Sequence, residues 1–172
     1  ATSTATPLPT PTPTPTPNPA TFVEEAEASF WQSDLEGAVA LYQKALDVQP
    51  DYAPAYVGLS ILETWRSPME DDKNLSYAQK AVEAAPDDAM ANAALAYVYT
   101  EKEKVTEALE AAKKAVDLDP QNAFAQAVLS GAYLLDRRYE EAQEAAETAY
   151  TLDPESVYSL YALANVYMKT AD

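Results

Sequence analysis

The sequence predicts an all-α fold in which about four and a half pairs of antiparallel helices stack into a solenoid. A short phrase ending in proline occurs four times, as ALDVQP, AVEAAP, AVDLDP and AYTLDP. The four prolines, Pro50, Pro86, Pro120 and Pro154, are 36, 34 and 34 residues apart. A fixed period of this length indicates stacked units, each of which buries its apolar face against its neighbours.

The first segment of the chain has a different composition. Residues 1–19 contain seven Pro, seven Thr and no charged side chain. Alternating Pro favours polyproline II, an extended helix without internal hydrogen bonds, so this range is predicted to be a tail or linker and residues 20–172 the repeat domain. Because Thr-Pro tracts suit O-glycosylated stalks, the candidate glycosylation sites are Thr10, Thr12, Thr14 and Thr16.

The repeat domain divides into units at about residues 20–52, 53–88, 89–122 and 123–156, with a half unit at 157–172. Each full unit is predicted to contain a helix A followed by a helix B. Helix B ends at the proline, because proline lacks an N–H and clashes with the preceding turn. Asp88, Asn122 and Ser156 each lie two residues after a proline, and their side chains are suited to cap the next helix A.

Each helix B carries mostly small residues spaced four and three positions apart, which places them on one helix face. Small side chains allow two backbones to approach closely, so we expect this face to be buried between helices. The residues are Ala38, Tyr42 and Ala45 in the first unit, Ala108, Ala112 and Ala115 in the third, and Ala142, Ala146 and Ala149 in the fourth.

A further motif recurs late in helix A, where a Leu and a small residue are followed three positions later by Tyr. It reads Leu95, Ala96 and Tyr99, then Leu129, Ser130 and Tyr133, then Leu163, Ala164 and Tyr167. Together with the 34-residue period, these motifs resemble the tetratricopeptide-repeat family over residues 20–172. The resemblance implies a right-handed superhelix that binds other polypeptides. The second unit departs from the pattern, with Glu63 where Tyr is usual.

The resemblance also implies a binding groove, because helix A lines the concave face in this family. One subclass grips peptide carboxylates with Lys and Asn, but those places hold apolar or small residues here, so a carboxylate clamp is not predicted. Several groove residues could instead belong to the core between helices. The predicted groove residues are Val57, Ile61, Trp65, Met90, Tyr97, Phe124, Leu134, Tyr158 and Tyr161.

Composition excludes several classes of function. The chain has 28 acidic and 11 basic residues and a net charge of −17, which disfavours nucleic acid and anionic membrane surfaces as partners. It has no Cys and no His, the usual residues of zinc sites and of thiol or imidazole catalysis. No apolar run approaches the ~20 residues that span a bilayer. The sequence therefore predicts a protein without enzymatic activity, cofactor, metal or membrane insertion.

The last predicted helix indicates self-association. Residues 157–168 read VYSLYALANVYM, a segment that is apolar almost all round and would normally be covered on all sides. A repeat array usually ends in a polar cap, so the cover could be helix B of a longer chain or another molecule. We favour another copy that covers this helix head to tail, which builds a filament. The tail could add to the contact as a polyproline ligand of a neighbour's groove. The predicted interface residues are Phe22, Phe30, Trp31, Leu160, Leu163 and Tyr167.

Two other interpretations stay open. The chain could be a monomeric adaptor that is tethered by its tail and binds a foreign, extended peptide. It could also be a fragment of a larger enzyme or of a transporter accessory protein. Because similar Thr-Pro tracts tether bacterial surface domains, we expect an extracellular or cell-surface location.

Overall fold

The computed structural model describes residues 18–66 and 72–170, and within these ranges it contains helices and no strands. This confirms the predicted all-α class. The helices are α1 (Pro19–Trp31), α2 (Leu35–Val48), α3 (Ala53–Arg66), α4 (Lys73–Ala84), α5 (Ala89–Glu101), α6 (Val105–Leu118), α7 (Ala123–Leu135), α8 (Tyr139–Leu152) and α9 (Val157–Thr170).

The helices pack in two layers. The odd-numbered helices are the predicted A helices, and each packs against the A helix before and after it. Each even-numbered B helix packs against the A helices of its own and the following unit. Trp65 on α3 and Tyr158 on α9 meet across the A layer, with ring centroids 6.4 Å apart. The A layer is therefore the concave side of a helical-repeat solenoid.

The prediction for the B helices is confirmed. Each of the small residues on α2, α6 and α8 is buried, and so is Tyr42, whose ring lies against α3 at Gly58. These positions form the contact between each B helix and its A helices because the absence of long side chains lets the backbones approach. The alanines that are fully buried are Ala38, Ala45, Ala108, Ala112, Ala115, Ala142, Ala146 and Ala149.

Two of the three predicted helix caps are confirmed. Asp88 accepts a hydrogen bond from the Ala91 N–H at 2.7 Å, and Asn122 accepts one from Ala125 at 2.9 Å. The prediction for Ser156 is wrong, since its hydroxyl makes no hydrogen bond within residues 72–170. Its own N–H donates to the carboxylate of Asp153 at 3.1 Å, so the Asp side chain holds this turn instead.

The first helix begins slightly earlier than the sequence indicated. Asn18 caps α1 by accepting a hydrogen bond from Ala20 at 3.1 Å, and Pro19 occupies the first turn, where a missing N–H costs nothing. The predicted tail of residues 1–19 thus overlaps α1 at Pro19. The candidate glycosylation sites Thr10, Thr12, Thr14 and Thr16 lie outside the described residues.

Three turns between helices A and B share an unusual backbone conformation. Ser33, Glu103 and Arg137 have φ angles of 66°, 55° and 60°, in the left-handed region that Gly and Asn adopt most easily. Glu103 and Arg137 are separated by one repeat period. The same turn geometry is therefore built in separate units from different residues.

Candidate functional site

Aromatic rings from five different helices meet on the concave face. This aromatic cluster contains Phe30 of α1, Trp65 of α3, Tyr97 of α5, Phe124 of α7 and Tyr158 of α9. The ring centroids are 5.7 Å apart for Phe30 and Trp65, 6.0 Å for Tyr97 and Phe124, and 4.6 Å for Phe124 and Tyr158. All the pairs are edge-to-face, the arrangement that aromatic quadrupoles favour.

The repeat period explains how the cluster arises. Met90, Phe124 and Tyr158 are 34 residues apart and each is the second residue of its A helix. Because successive A helices lie side by side, one position of the repeat becomes a row of large side chains across the concave face. Tyr158 lies at the end of this row, and its ring also contacts those of Tyr97 and Trp65.

The row divides the groove into two cavities. The N-terminal pocket, of about 330 Å³, lies between α1, α3, α5, α7 and α9, and the C-terminal pocket, of about 300 Å³, lies between α5, α7 and α9. Tyr158 lines both pockets and separates them. The N-terminal pocket is lined by Glu27, Phe30, Trp31, Tyr42, Pro54, Val57, Gly58, Ile61, Leu62, Asp88, Met90, Phe124 and Tyr158.

Burial shifts the pKa of several groups around the groove. It raises the pKa of Tyr158 to about 12 and raises the pKa of Tyr97, with Glu101 nearby adding to the effect on Tyr97. Phenols are neutral at physiological pH even at their ordinary pKa, and burial moves these two further from ionisation. Partial burial also raises the pKa of Glu27, and the neighbouring carboxylate of Glu24 raises it further.

The predicted groove residues lie on the concave face, most of them within the two pockets. Trp65 stands beside the N-terminal pocket, in ring contact with Phe30 and Tyr158. Val57 and Phe124 are largely buried and also belong to the core between helices. The N-terminal pocket includes Val57, Ile61, Met90 and Phe124, the C-terminal pocket includes Tyr97, Leu134 and Tyr161, and Tyr158 belongs to both.

The structure divides the predicted assembly residues among three places. Leu160 and Tyr167 are exposed on α9. Phe22 and Leu163 are half-buried and pack within their own chain. Phe30 and Trp31 line the N-terminal pocket, and Trp31 is 61% exposed. The sequence also missed Glu27 and Asp88 as pocket residues, although Glu27 shares a helix face with Phe30 and Trp31.

One face of α9 is apolar and uncovered. We define the open face of α9 as Val157, Leu160, Tyr161, Tyr167 and Met168, all exposed. One repeat earlier on α7, the residues aligned with Leu160 and Tyr161 are Gln126 and Ala127, which are 9% and 6% exposed. Ala127 packs against α8 and α9, and the Gln126 amide donates to the Pro120 carbonyl oxygen. Leu160 and Tyr161 are 47% and 59% exposed, so this face corresponds to a packing surface elsewhere in the solenoid.

The described ranges offer neither a cluster of metal ligands nor a membrane-spanning helix. Residues 18–66 and 72–170 contain no group of three or more His, Cys, Asp or Glu residues placed to hold a metal ion. None of the helices in these ranges is both long enough and apolar enough to cross a membrane.

The paired helices, the alanine contacts and the concave aromatic groove define a helical-repeat scaffold of the kind that binds polypeptides. Family models of the tetratricopeptide repeat match residues 75–123 and residues 125–156. The chain belongs to the tetratricopeptide-repeat family. A comparison with curated protein sequences found no match.

Solved structures share this fold at low sequence identity. A thermophilic tetratricopeptide-repeat protein of Thermus thermophilus is 17% identical with a TM-score of 0.75, and the match covers 88% of this chain and 82% of that one. The pilF protein of Pseudomonas aeruginosa is 18% identical with a TM-score of 0.68, covering 89% and 69%. MamA from Desulfovibrio magneticus is 18% identical with a TM-score of 0.60, covering 90% and 86%. These similarities concern the fold.

Proposed function

We propose that this chain is a non-enzymatic interaction scaffold whose copies associate head to tail, with the open face of α9 against α1 of the next copy. The tetratricopeptide fold supports a scaffold for protein–protein interaction. The observation that carries the finer proposal is the open face of α9. Single exposed apolar residues are normal, but five on one face of one helix are typical of an interaction site.

The properties of α1 and α9 favour a second copy of the chain as the partner that covers the open face of α9. The first helix, α1, is an A helix that no described unit precedes, and its Trp31 is largely exposed. It contains three Glu and no basic residue, whereas α9 contains Lys169 and no acidic residue. The two helices are therefore complementary in charge, while two α9 faces placed together would bring like charges close.

The proposed contact joins two different surfaces of the chain, the open face of α9 on one copy and α1 on the next. Because α1 of one copy meets α9 of the next, each copy keeps one surface free and the contact continues into a filament. We expect Leu160→Lys and Trp31→Lys to each reduce the particle mass in light scattering to that of the 18.7 kDa chain, since either change places a charge in an apolar contact. Leu118→Lys, at an exposed site on α6, is the matched control and should leave the mass unchanged.

Mixing the two variants tests the head-to-tail arrangement directly. Leu160→Lys retains an intact α1 surface and Trp31→Lys retains an intact α9 surface, so an equal mixture should form a dimer that cannot grow. If only Leu160→Lys disrupts the assembly, the contact is a symmetric pairing of α9 faces instead. A wild-type chain that stays monomeric at high concentration contradicts self-association altogether.

We also propose that the assembly is extracellular and that the tail carries O-linked sugars at Thr10, Thr12, Thr14 and Thr16. The support is compositional, because a Thr-Pro tract without charge is typical of glycosylated stalks. The intact mass of the chain isolated from its source should exceed the mass of its sequence by whole sugar units. An intact mass equal to that of the bare sequence contradicts this prediction.

A second candidate function is favoured by the two pockets of the groove. A monomeric adaptor tethered by its tail would bind an extended foreign peptide on the concave face, with side chains in the N-terminal and C-terminal pockets. Pockets with apolar walls and a few polar groups are the usual form of a binding site. This candidate requires peptide binding by the monomer, whereas the first requires association of copies.

A further inference from the structure

We propose that the N-terminal pocket binds the side chain of an Arg or Lys residue in an extended peptide, with the aliphatic stem against the aromatic walls and the cationic head attracted by the carboxylates of Glu27 and Asp88, which line the same pocket. The proposal rests on the second candidate function, peptide binding in the groove, and specifies the chemistry of the partner. It shares Trp31 with the proposed contact between α9 and α1, but its test measures peptide binding and not the association of copies.

The walls of the pocket suit a cation on an apolar stem. Phe30, Trp31, Tyr42, Phe124 and Tyr158 present rings to the cavity, and the faces of such rings attract cations. The exposed indole of Trp31 lies edge-on to Phe30, with centroids 5.2 Å apart. Because Trp gives the strongest of these attractions, Trp31 is the expected cover over the guanidinium or ammonium group.

The charges of the pocket have one sign. Glu27 and Asp88 are its charged lining residues, and no Lys or Arg of residues 18–66 and 72–170 lines it. Glu27 lies one helical turn before Phe30 on α1, and Asp88 is held in place by its hydrogen bond to the Ala91 N–H. A cation would offset the repulsion between Glu27 and Glu24 and compensate the charge of the partly buried Glu27.

Rings elsewhere on the chain already have cationic neighbours. On the outer side, Lys80 lies 5.6 Å from the ring centroid of Tyr56, and Arg138 lies 4.5 Å from that of Tyr133. The rings of the N-terminal pocket have no Lys or Arg among the described lining residues. The pocket thus has the rings and carboxylates of a cation site, and the cation must come from another molecule or segment.

Other occupants are less complementary. An anionic group would face two carboxylates on a chain with a net charge of −17. A neutral apolar segment, such as the Thr-Pro tract of residues 1–17, would desolvate Glu27 further without compensating its charge. The test therefore compares a cationic peptide with a neutral one of equal shape and with a Thr-Pro peptide.

The experiment titrates the 172-residue chain and follows tryptophan fluorescence. The chain has two Trp, and both Trp31 and Trp65 lie at the groove, so their emission reports occupancy. The probes are acetylated and amidated peptides: GSALRLASG, the same peptide with citrulline in place of Arg, and PTPTPTPTP. We expect the Arg peptide to bind about tenfold more tightly than the citrulline peptide, and the difference to shrink in high salt.

Isosteric variants identify the carboxylates responsible. We expect Glu27→Gln and Asp88→Asn each to weaken Arg-peptide binding about threefold while leaving citrulline-peptide binding unchanged. Asn is as good a helix cap as Asp, so Asp88→Asn preserves the start of α5. Glu25→Gln is the matched control, because Glu25 is exposed on the same helix and does not line the pocket.

Each contrary result has a distinct meaning. Equal affinity for the Arg and citrulline peptides overturns the cation site but leaves peptide binding intact. Tighter binding of PTPTPTPTP overturns it in favour of a Thr-Pro segment as occupant. If none of the three peptides changes the fluorescence, both the cation site and the second candidate function are refuted.

Discussion

Replacing Gly58 with Ala should lower the free energy of unfolding by about 2–3 kcal/mol. Gly58 lies within α3, and the ring of the buried Tyr42 from α2 occupies the space where a side chain would begin. A methyl group at this position would overlap that ring. The ring is buried in the core cluster that contains Ala45 and Leu62, so relief requires it to leave that packing for the N-terminal pocket, which it lines, or α2 and α3 to separate.

The sign of this effect distinguishes it from an ordinary helix substitution. Gly→Ala within a helix usually stabilises by up to about 1 kcal/mol, because Ala loses less backbone entropy on folding. Gly131 on α7 provides the matched control, since an added Cβ there would lie 3.3 Å from one methyl carbon, Cγ2 of Thr100. We expect Gly131→Ala to be neutral or slightly stabilising in chemical denaturation.

A double-mutant cycle isolates the contact between Gly58 and Tyr42. In a Tyr42→Ala background the ring is absent, so the further change Gly58→Ala should cost little and the two effects should be strongly non-additive. Additive effects would show that Gly58 is required for another reason. A wild-type melting curve for Gly58→Ala would show that α2 and α3 do not pack as described.

Local chemistry explains what could be predicted from the sequence. The prolines mark the ends of the B helices, Asp88 and Asn122 cap the A helices, and the alanine spacing identifies the buried face of each B helix. All three signals depend on residues within a few positions of one another. The turns at Glu103 and Arg137 left no such signal, because neither residue favours a positive φ.

The groove depends on how successive units rotate, and the repeat period does not specify that rotation. It places neighbouring units in contact but does not show that Tyr158 reaches Trp65 across two whole units. For the same reason, the sequence does not show that Phe30 and Trp31, which it places at the end of the first unit, also line the N-terminal pocket. Pairs of a large and a small residue, such as Tyr42 and Gly58, do mark where two helices touch. The sequence alone does not show which large residue packs against which small one.

The ring of Tyr158 should couple the last helix to the rest of the solenoid. It contacts the rings of Trp65, Tyr97 and Phe124, which belong to α3, α5 and α7. We expect Tyr158→Ala to lower the free energy of unfolding by roughly 2–4 kcal/mol, from lost aromatic contacts and the cavity left behind. The emission of Trp65 should shift to longer wavelength, because the indole loses its cover and gains water.

Two controls separate the ring of Tyr158 from its hydroxyl and from its position on α9. Tyr158→Phe retains the ring contacts and should stay within about 1 kcal/mol of the wild type. Tyr161→Ala removes a more exposed ring of the same helix and should change the free energy of unfolding by no more than about 0.5 kcal/mol. Equal losses for Tyr158→Ala and Tyr161→Ala would contradict a coupling role for the aromatic cluster. A large loss confined to Tyr158→Ala would instead show that the ring couples α9 to the rest of the solenoid, because its contacts reach α3, α5 and α7.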